Sequence, residues 1–234
     1  MEAHGLTREQ QQSLAATHSE PRWLAFCRRL FDILFAGTLV LLLSPLLVAV
    51  TIAIRLDSRG PALFRQRRVG YREREFTLFK FRSMRLDADP RGHQEYVTAL
   101  IKGEGEANGD GAEDDKSLYK LAVDNRITPV GRWIRKWSID ELPQLFNVLR
   151  GDMTLIGPRP AIPYEVAEYP SWYLQRFSVK PGLTGYWQVS GRNERTYEEM
   201  VRLDIEYAER RSLLLDLSIL ARTPFTVLAR RGAA

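Results

Sequence analysis

The stretch LVLLLSPLLVAVTIAIRLDSRG, residues 39–60, decides the fold because it is long and apolar yet contains Ser44-Pro45. No residue from Ile33 to Ile54 is charged. A helix of that length measures about 33 Å, which is sufficient to cross the core of a bilayer. A buried helix of a soluble domain is disfavoured, because so long an apolar stretch is unusual in a domain of this size. The sequence therefore predicts a segment that enters a membrane.

Arginines flank this segment on both sides, at Arg22, Arg28 and Arg29 before it and at Arg55, Arg59, Arg65, Arg67 and Arg68 after it. A spanning helix leaves most of its basic residues on the cytoplasmic side, whereas here both ends favour that side. Pro45 bends a helix, and the Ser44 hydroxyl could satisfy the carbonyl that the proline frees. We therefore favour a re-entrant helix hairpin over residues 21–57, and a spanning helix remains the alternative.

The composition limits the partners and the cellular compartment. The chain has 234 residues and a formal net charge of +5, which favours an anionic partner such as nucleic acid, anionic lipid or a phosphorylated substrate. The single cysteine, Cys27, excludes an intrachain disulfide and fits a reducing compartment. The three histidines show no metal-ligand spacing.

Periodicity and turn residues predict several further elements. Residues 1–20 are predicted to be a loose tail, and the Gly-rich acidic residues 103–115 a mobile loop. Alternating apolar residues near 63–67 and 76–81 predict a β-hairpin. The predicted helices lie in VGRWIRKW, in DELPQLFNVLRG before Gly151, from about 196 to 211, and in SLLLDLSILARTPFTVLARR, which suits a membrane interface. GPRP and KPGLTGYWQVSGRN are rich in turn formers.

The adjacent acids Asp140 and Glu141 have two interpretations. Ser138 and Glu141 fit a capping box, which would make the acids structural. Pro143 would then fall inside the helix, whereas an N-cap at Asp140 would place it in the first turn. In either case, two adjacent carboxylates could bind a divalent cation, and one could attack phosphorus.

Five basic residues are candidates for binding an anion: Lys80, Arg82, Arg135, Arg159 and Arg192. Arg159 is held between two prolines, which reduces the entropy cost of placing its side chain. Arg192 lies in a tight turn that suits close approach of a phosphate, and guanidinium groups bind phosphate oxygens in pairs. A nucleic-acid partner is disfavoured by the membrane segment.

Four stretches occur in order along the chain: RRLFDILFAG to IRLDSRGPALFRQRRVG, FKFRSM, RWIRKWSIDELPQLFNVLRGDMTLIGPRP, and KPGLTGYWQVSGRN. Together they resemble the monotopic phosphoglycosyl transferases, bacterial enzymes that start the assembly of exopolysaccharide, O-antigen and glycoprotein glycans. The resemblance runs from about Arg28 to the C-terminus, except at residues 87–123. Large members carry an additional N-terminal membrane domain, so this chain is expected to match the small, core-only form.

The resemblance implies that a sugar 1-phosphate moves from a UDP-sugar to polyprenyl phosphate (undecaprenyl phosphate in most bacteria), with release of UMP. It implies a ping-pong cycle in which Asp140 forms a covalent phosphosugar intermediate and Glu141 helps it to hold Mg²⁺. It implies that Arg159 contacts the nucleotide end of the substrate and that Arg135 and Arg192 contact its phosphates. Lys80 lies in a motif of the family. A simple hexose such as galactose or glucose is the expected sugar.

The resemblance also implies a helix that re-enters at Ser44-Pro45 and holds the chain on the cytoplasmic face of the bacterial inner membrane, in contact with anionic lipid. The expected fold is α+β and mostly helical, with a small hairpin and amphipathic interfacial helices in a catalytic domain over residues 58–234. A homodimer is possible. Two other functions remain open: a membrane-anchored interaction module without catalysis, and a metal-dependent nucleotide-sugar hydrolase in which water replaces the lipid.

Overall fold

The computed structural model describes residues 21–85, 91–102, 126–191 and 195–228. The predicted tail at 1–20, the predicted acidic loop at 103–115 and Arg192 lie outside these ranges. Within them the protein is α+β and mostly helical, as the sequence predicted.

The apolar segment forms one helix, α1, which runs from Arg22 to Asp57 and is assigned without interruption across Pro45. The Ser44 hydroxyl donates a hydrogen bond of 2.8 Å to the carbonyl oxygen of Leu41. That carbonyl is the one that Pro45, lacking an N–H, leaves without a backbone donor. Among the described residues, α1 is the one helix long and apolar enough to cross a membrane, and only 11% of its most apolar window is buried. Its exposure is unlike that of the core helix of a soluble domain.

The predicted β-hairpin after α1 is confirmed. Strands β1 (Leu63–Val69) and β2 (Glu75–Phe81) pair antiparallel, with Phe64 opposite Lys80 and Arg68 opposite Phe76. Residues that lie opposite each other share a face of the sheet, and alternate residues follow them on that face. Lys80 and Arg68 therefore project from the same face of the hairpin.

The remaining elements follow the hairpin in short pieces. They are α2 (Arg91–Lys102), α3 (Pro129–Lys136), a 3₁₀ turn (Ile139–Glu141), α4 (Gln144–Arg150), β3 (Thr154–Ile156), α5 (Pro163–Ala167), a 3₁₀ helix (Ser171–Ser178), β4 (Gly182–Thr184), α6 (Tyr186–Val189), α7 (Tyr197–Arg210) and α8 (Leu213–Leu228). Gly151, with φ of 89°, ends α4 as predicted. Strands β3 and β4 pair in parallel.

Polar contacts join α1 to the rest of the domain. The buried Arg28 forms an ion pair of 2.6 Å with Asp216 of α8. The buried carboxylate of Asp32 accepts hydrogen bonds from the Thr154 hydroxyl at 2.8 Å and from the backbone N–H of Leu155 at 3.0 Å. A buried charge is costly unless it is paired, so these bonds fix the direction in which α1 leaves the domain.

Both halves of α1 pack against the same domain. Ala36 belongs to a core cluster with Leu145 and Val148 of α4. Val50 and Ile54 belong to a cluster with residues of the hairpin and of α3. The middle of the helix is exposed, since Leu41 and Leu42 are 76% and 70% exposed.

Candidate active site

Asp140 and Glu141 lie in the 3₁₀ turn between α3 and α4, where they form no capping box. Ser138 adopts a left-handed conformation, with φ of 54°, and its side chain caps no backbone N–H. Helix α4 begins at Gln144, after Pro143, so the missing N–H of the proline costs no helical hydrogen bond. Neither of the two capping interpretations of this segment therefore describes it. A left-handed residue other than glycine costs free energy and is enriched at functional sites.

The Asp140 carboxyl is electrostatically unusual. Burial raises its pKa from 3.8 to about 6, and the neighbouring charge of Glu141 contributes to the rise. The cations Lys80 and Arg135 oppose this rise, which shows that both lie close to the carboxylate. Asp140 thus combines the features of a functional carboxylate: partial burial, a like charge beside it and two cations near it.

Lys80 connects the acids to the other cations of the site. Burial lowers its pKa below the usual value, and the charges of Arg68 and Arg159 lower it further. Asp140 and Glu141 act in the opposite direction. Lys80 is therefore close enough to both acids and to both arginines to respond to their charges.

Arg159 is presented by a loop whose backbone is held at several points. Its side chain is exposed, while Pro158 and Pro160 on either side are buried. Its carbonyl oxygen accepts a hydrogen bond of 3.0 Å from the Arg176 guanidinium. A Cβ at Gly157 would lie 2.4 Å from the backbone oxygen of Lys180, so only glycine permits the loop to approach β4 this closely. The loop is therefore well suited to hold a cation in a fixed place.

Arg82, which the sequence nominated for substrate binding, lies elsewhere. It is 4% exposed, and its guanidinium donates to the backbone oxygens of Arg59 (2.7 Å) and Ser58 (2.7 Å) at the end of α1. Strand β2 ends at Phe81, so the alternation that would have placed Arg82 beside Lys80 no longer applies. Arg82 closes the C-terminus of α1, where a cation is favourable.

The sequence analysis did not nominate Arg68 for the site, although it counted this residue among the flanking arginines. Arg68 is 5% exposed, and the charges of Arg159 and Glu141 both affect its pKa. The hairpin register could have identified it, because that register puts Arg68 on the face that carries Lys80. The structure thus brings Lys80, Arg135, Asp140, Glu141 and Arg159 together, adds Arg68 and leaves Arg82 out.

The acid pair offers two adjacent carboxylates to a metal ion. No group of three or more histidine, cysteine or acidic residues that could hold a metal occurs in the described part of the chain. Mg²⁺ commonly binds through one or two carboxylates and completes its shell with water and substrate phosphate. Burial and, after it, the charge of Glu141 raise the pKa of Asp140, and a cation between the two carboxylates would relieve the repulsion.

A pair of carboxylates among several cations, in a domain that carries a long apolar helix, is the arrangement expected of an enzyme that acts on a phosphorylated substrate. Comparison with known proteins agrees with this. The family model described as bacterial sugar transferase matches residues 23–230, and the chain belongs to that family.

Curated relatives cover most of the chain. The undecaprenyl-phosphate galactose phosphotransferase of Salmonella typhimurium is 41% identical over 208 residues, which are 89% of this chain and 42% of the relative. The undecaprenyl-phosphate glucose phosphotransferase of Komagataeibacter xylinus is 41% identical over 86% of this chain and 36% of its own length. The chain thus spans about two fifths of these relatives. The exopolysaccharide production protein ExoY of Rhizobium meliloti is 36% identical over 88% of this chain and 87% of its own length.

Proposed function

We propose that this protein transfers a sugar 1-phosphate from a UDP-sugar to polyprenyl phosphate and releases UMP. Support for the acceptor comes from relatives named as undecaprenyl-phosphate phosphotransferases. The same names support galactose or glucose as the sugar. The observation that carries the proposal is the Asp140 carboxylate, which lies in a turn without a capping box, beside Glu141 and near the cations Lys80 and Arg135.

The reaction proceeds in two displacements at one phosphorus atom. In the first, a carboxylate oxygen of Asp140 attacks the phosphorus that carries the sugar, and the bond from this phosphorus to the UMP oxygen breaks. In the second, a phosphate oxygen of polyprenyl phosphate attacks the same phosphorus and frees the carboxylate. The product is a polyprenyl diphosphate sugar, and neither step requires a proton acceptor if both nucleophiles are ionised.

The cations make the first displacement possible. A carboxylate and a diphosphate repel each other, so positive charge must lie where they meet, and phosphoryl transfer depends mainly on positioning and electrostatics. Lys80 and Arg135 lie near the attacking carboxylate. We assign Arg159 to the nucleotide end of the substrate, as the family resemblance implies. Asp140 and Glu141 would hold Mg²⁺, which supplies further positive charge against the diphosphate when it is bound.

We propose that the protein acts at the cytoplasmic face of the bacterial inner membrane. Helix α1 enters the bilayer and returns at Ser44-Pro45. Support comes from the packing of both its ends on one domain and from the exposure of Leu41 and Leu42 at its middle. The apolar side chains that α8 exposes, among them Leu214 and Phe225, suit the membrane interface. A site at this surface receives a soluble donor from one side and a lipid acceptor from the other.

One assay separates the proposal from its alternatives. The full-length chain in nanodiscs is incubated with Mg²⁺ and a panel of UDP-sugars, with and without undecaprenyl phosphate, and UMP is measured. Release of UMP beyond one equivalent should require the lipid. Turnover without lipid would indicate a hydrolase, and the absence of turnover with every sugar would leave an interaction module.

The covalent step has its own test. Asp140→Asn should abolish turnover because an amide oxygen is a poor nucleophile. Glu206→Gln, which removes one partner of the ion pair with Arg210 on α7, should have no effect. With UDP-sugar alone, the wild-type mass should rise by one sugar phosphate on the peptide that contains Asp140. Normal turnover in Asp140→Asn would refute the mechanism.

A further inference from the structure

Arg68 is a buried cation whose hydrogen-bond partners are all neutral. Its guanidinium donates to the side-chain oxygen of Gln66 through Nε (3.2 Å) and Nη2 (2.7 Å), and to the carbonyl oxygen of Pro160 through Nη1 (2.8 Å). These bonds use three of its five N–H groups. No carboxylate within the described ranges forms a salt bridge with it. The charges of Glu165 and Glu141 raise its pKa without a direct ion pair. A buried charge that no carboxylate pairs directly is costly unless a ligand supplies a partner.

The surroundings of Arg68 indicate what such a ligand would be. Burial lowers its pKa to about 10, and Arg159 is the neighbouring charge with the largest effect. Arg68 is in turn the neighbouring charge that most affects Lys80. The three cations therefore influence one another, and Arg68 and Lys80 project from one face of the hairpin, where Arg68 bonds the loop that carries Arg159. Such a site suits an anion with more than one negative charge.

The three cations have an order relative to Asp140. Lys80 and Arg135 are the cations that lower the pKa of Asp140. On the hairpin, Lys80 lies opposite Phe64, whereas Arg68 lies opposite Phe76, further along the same face. Arg68 donates to the carbonyl oxygen of Pro160, next to Arg159. Arg68 therefore lies towards Arg159 on this face, and Lys80 lies towards Asp140.

We propose that Arg68, together with Arg159, binds the phosphate that leaves with the nucleoside, while Lys80 faces the phosphate that Asp140 attacks. The inference rests on the function proposed above and assigns a role to a residue that the sequence analysis left out of the site. Negative charge develops on the leaving phosphate as its bond to the sugar-bearing phosphorus breaks. Two N–H groups held in place before the substrate arrives stabilise this charge without reorganisation.

Arg82 is a matched control because it is an arginine of the same burial with a different environment. It is 4% exposed, against 5% for Arg68, and its guanidinium also bonds backbone oxygens. Its partners belong to the end of α1 and not to the cation cluster. A loss of stability alone should therefore follow Arg82→Gln, whereas a loss of anion binding should follow Arg68→Gln.

The probe is inorganic pyrophosphate, titrated calorimetrically into the full-length chain in detergent at constant Mg²⁺ and ionic strength. Arg68→Gln should weaken binding about tenfold or more, and Arg68→Lys should weaken it less because the charge remains without the paired N–H groups. Arg82→Gln should bind like the wild type, with a lower Tm. If Arg68→Gln does not fold, the comparison is made between Arg68→Lys and the wild type.

Wild-type affinity in a folded Arg68→Gln, or equal loss in the Arg68 and Arg82 variants, overturns the inference. So does wild-type affinity in Arg68→Lys when the glutamine variant is unfolded, or a wild type that does not bind pyrophosphate. The UMP assay separates this result from the fate of the proposed function. Arg68-dependent binding without any UMP release would refute the transferase and leave the anion site. An active transferase whose folded Arg68→Gln variant keeps its kcat/KM would refute the role of Arg68 alone.

Discussion

The Asp140 carboxyl should titrate near pH 6 in the metal-free protein. Burial and the charge of Glu141 raise its pKa from 3.8 to about 6. A rise of about two pH units corresponds to about 3 kcal/mol of free energy between the protonated and ionised forms. Because the pKa is raised, the ionised and nucleophilic form is lost as the pH falls through 6. About 90% of the protein should carry the ionised form at pH 7 and about 10% at pH 5.

The titration can be followed directly by NMR of carbon-13 in the aspartate carboxyl groups. The full-length chain is labelled, held in detergent micelles with EDTA, and titrated from pH 3.5 to 8. The spectrum of Asp140→Asn assigns the signal. Addition of Mg²⁺ should lower the apparent pKa, because the metal competes with the proton for the same oxygens.

Two variants test the causes of the shift. Glu141→Gln removes the neighbouring negative charge and should lower the pKa of Asp140. Lys80→Met removes a cation that favours the ionised form and should raise it. An Asp140 signal that titrates at pH 4 or below in the folded, metal-free protein would refute this electrostatic description of the site. A raised pKa in Glu141→Gln, or a lowered pKa in Lys80→Met, would refute the assignment of its causes.

Three other substitutions have defined outcomes. Gly157→Ala puts a Cβ 2.4 Å from a backbone oxygen, so it should lower both the Tm and the rate of UMP release. Gly37→Ala is the control, because a Cβ there has no atom within 4 Å, and it should keep both values. Equal values for the two variants would contradict the argument from steric strain. Asn147→Leu leaves a backbone N–H and a carbonyl of β2 unpaired and should cost about 2–4 kcal/mol in denaturant unfolding, so an unchanged midpoint would contradict it. Replacing Ser44 and Pro45 by leucine should expose a cysteine at position 20 to an impermeant thiol reagent outside spheroplasts; labelling of that position without these substitutions would exclude the re-entrant topology.

The parts of the fold that the sequence predicted are those set by neighbouring residues. Alternation predicted the hairpin, and a glycine in the left-handed region ends α4 as expected. The predicted helix from about residue 196 begins with a capping box between Thr196 and Glu199, which is a signal contained in four residues. Such patterns act over one or two turns of the chain, so they can be recognised in the sequence without knowledge of the tertiary structure.

The parts that the sequence did not predict depend on distant contacts. The turn formers around Gly182 were not assigned to a strand, yet β4 pairs there with β3. A Cβ at Gly182 would lie 2.0 Å from the backbone nitrogen of Gly157, so the glycine is required by a neighbour 25 positions away in sequence and not by a turn. Prediction of the site residues was limited by distant contacts in the same way. Lys80 and Arg82 look alike in sequence, and only the end of β2 and the position of α1 separate their environments.

The structure also links the position of α1 to that of the acids. The Arg29 guanidinium donates to the carbonyl oxygens of Val148 (2.5 Å) and Leu149 (2.7 Å), at the C-terminal end of α4. A cation at this end of a helix satisfies carbonyl groups that have no helical partner and favours the helix dipole. Helix α4 has 7 residues and so measures about 10 Å, and the Asp140-Glu141 turn lies directly before it.

Since α1 is fixed to one end of this short helix, the distance from α1 to the acids has little freedom. Asp32, one turn further along α1, adds a second fixed point at β3. If α1 re-enters the membrane as proposed, its insertion depth sets the height of the carboxylates above the lipid to within a few ångströms. A lipid phosphate at the membrane surface and a soluble diphosphate can then meet at one carboxylate without a large movement of the domain.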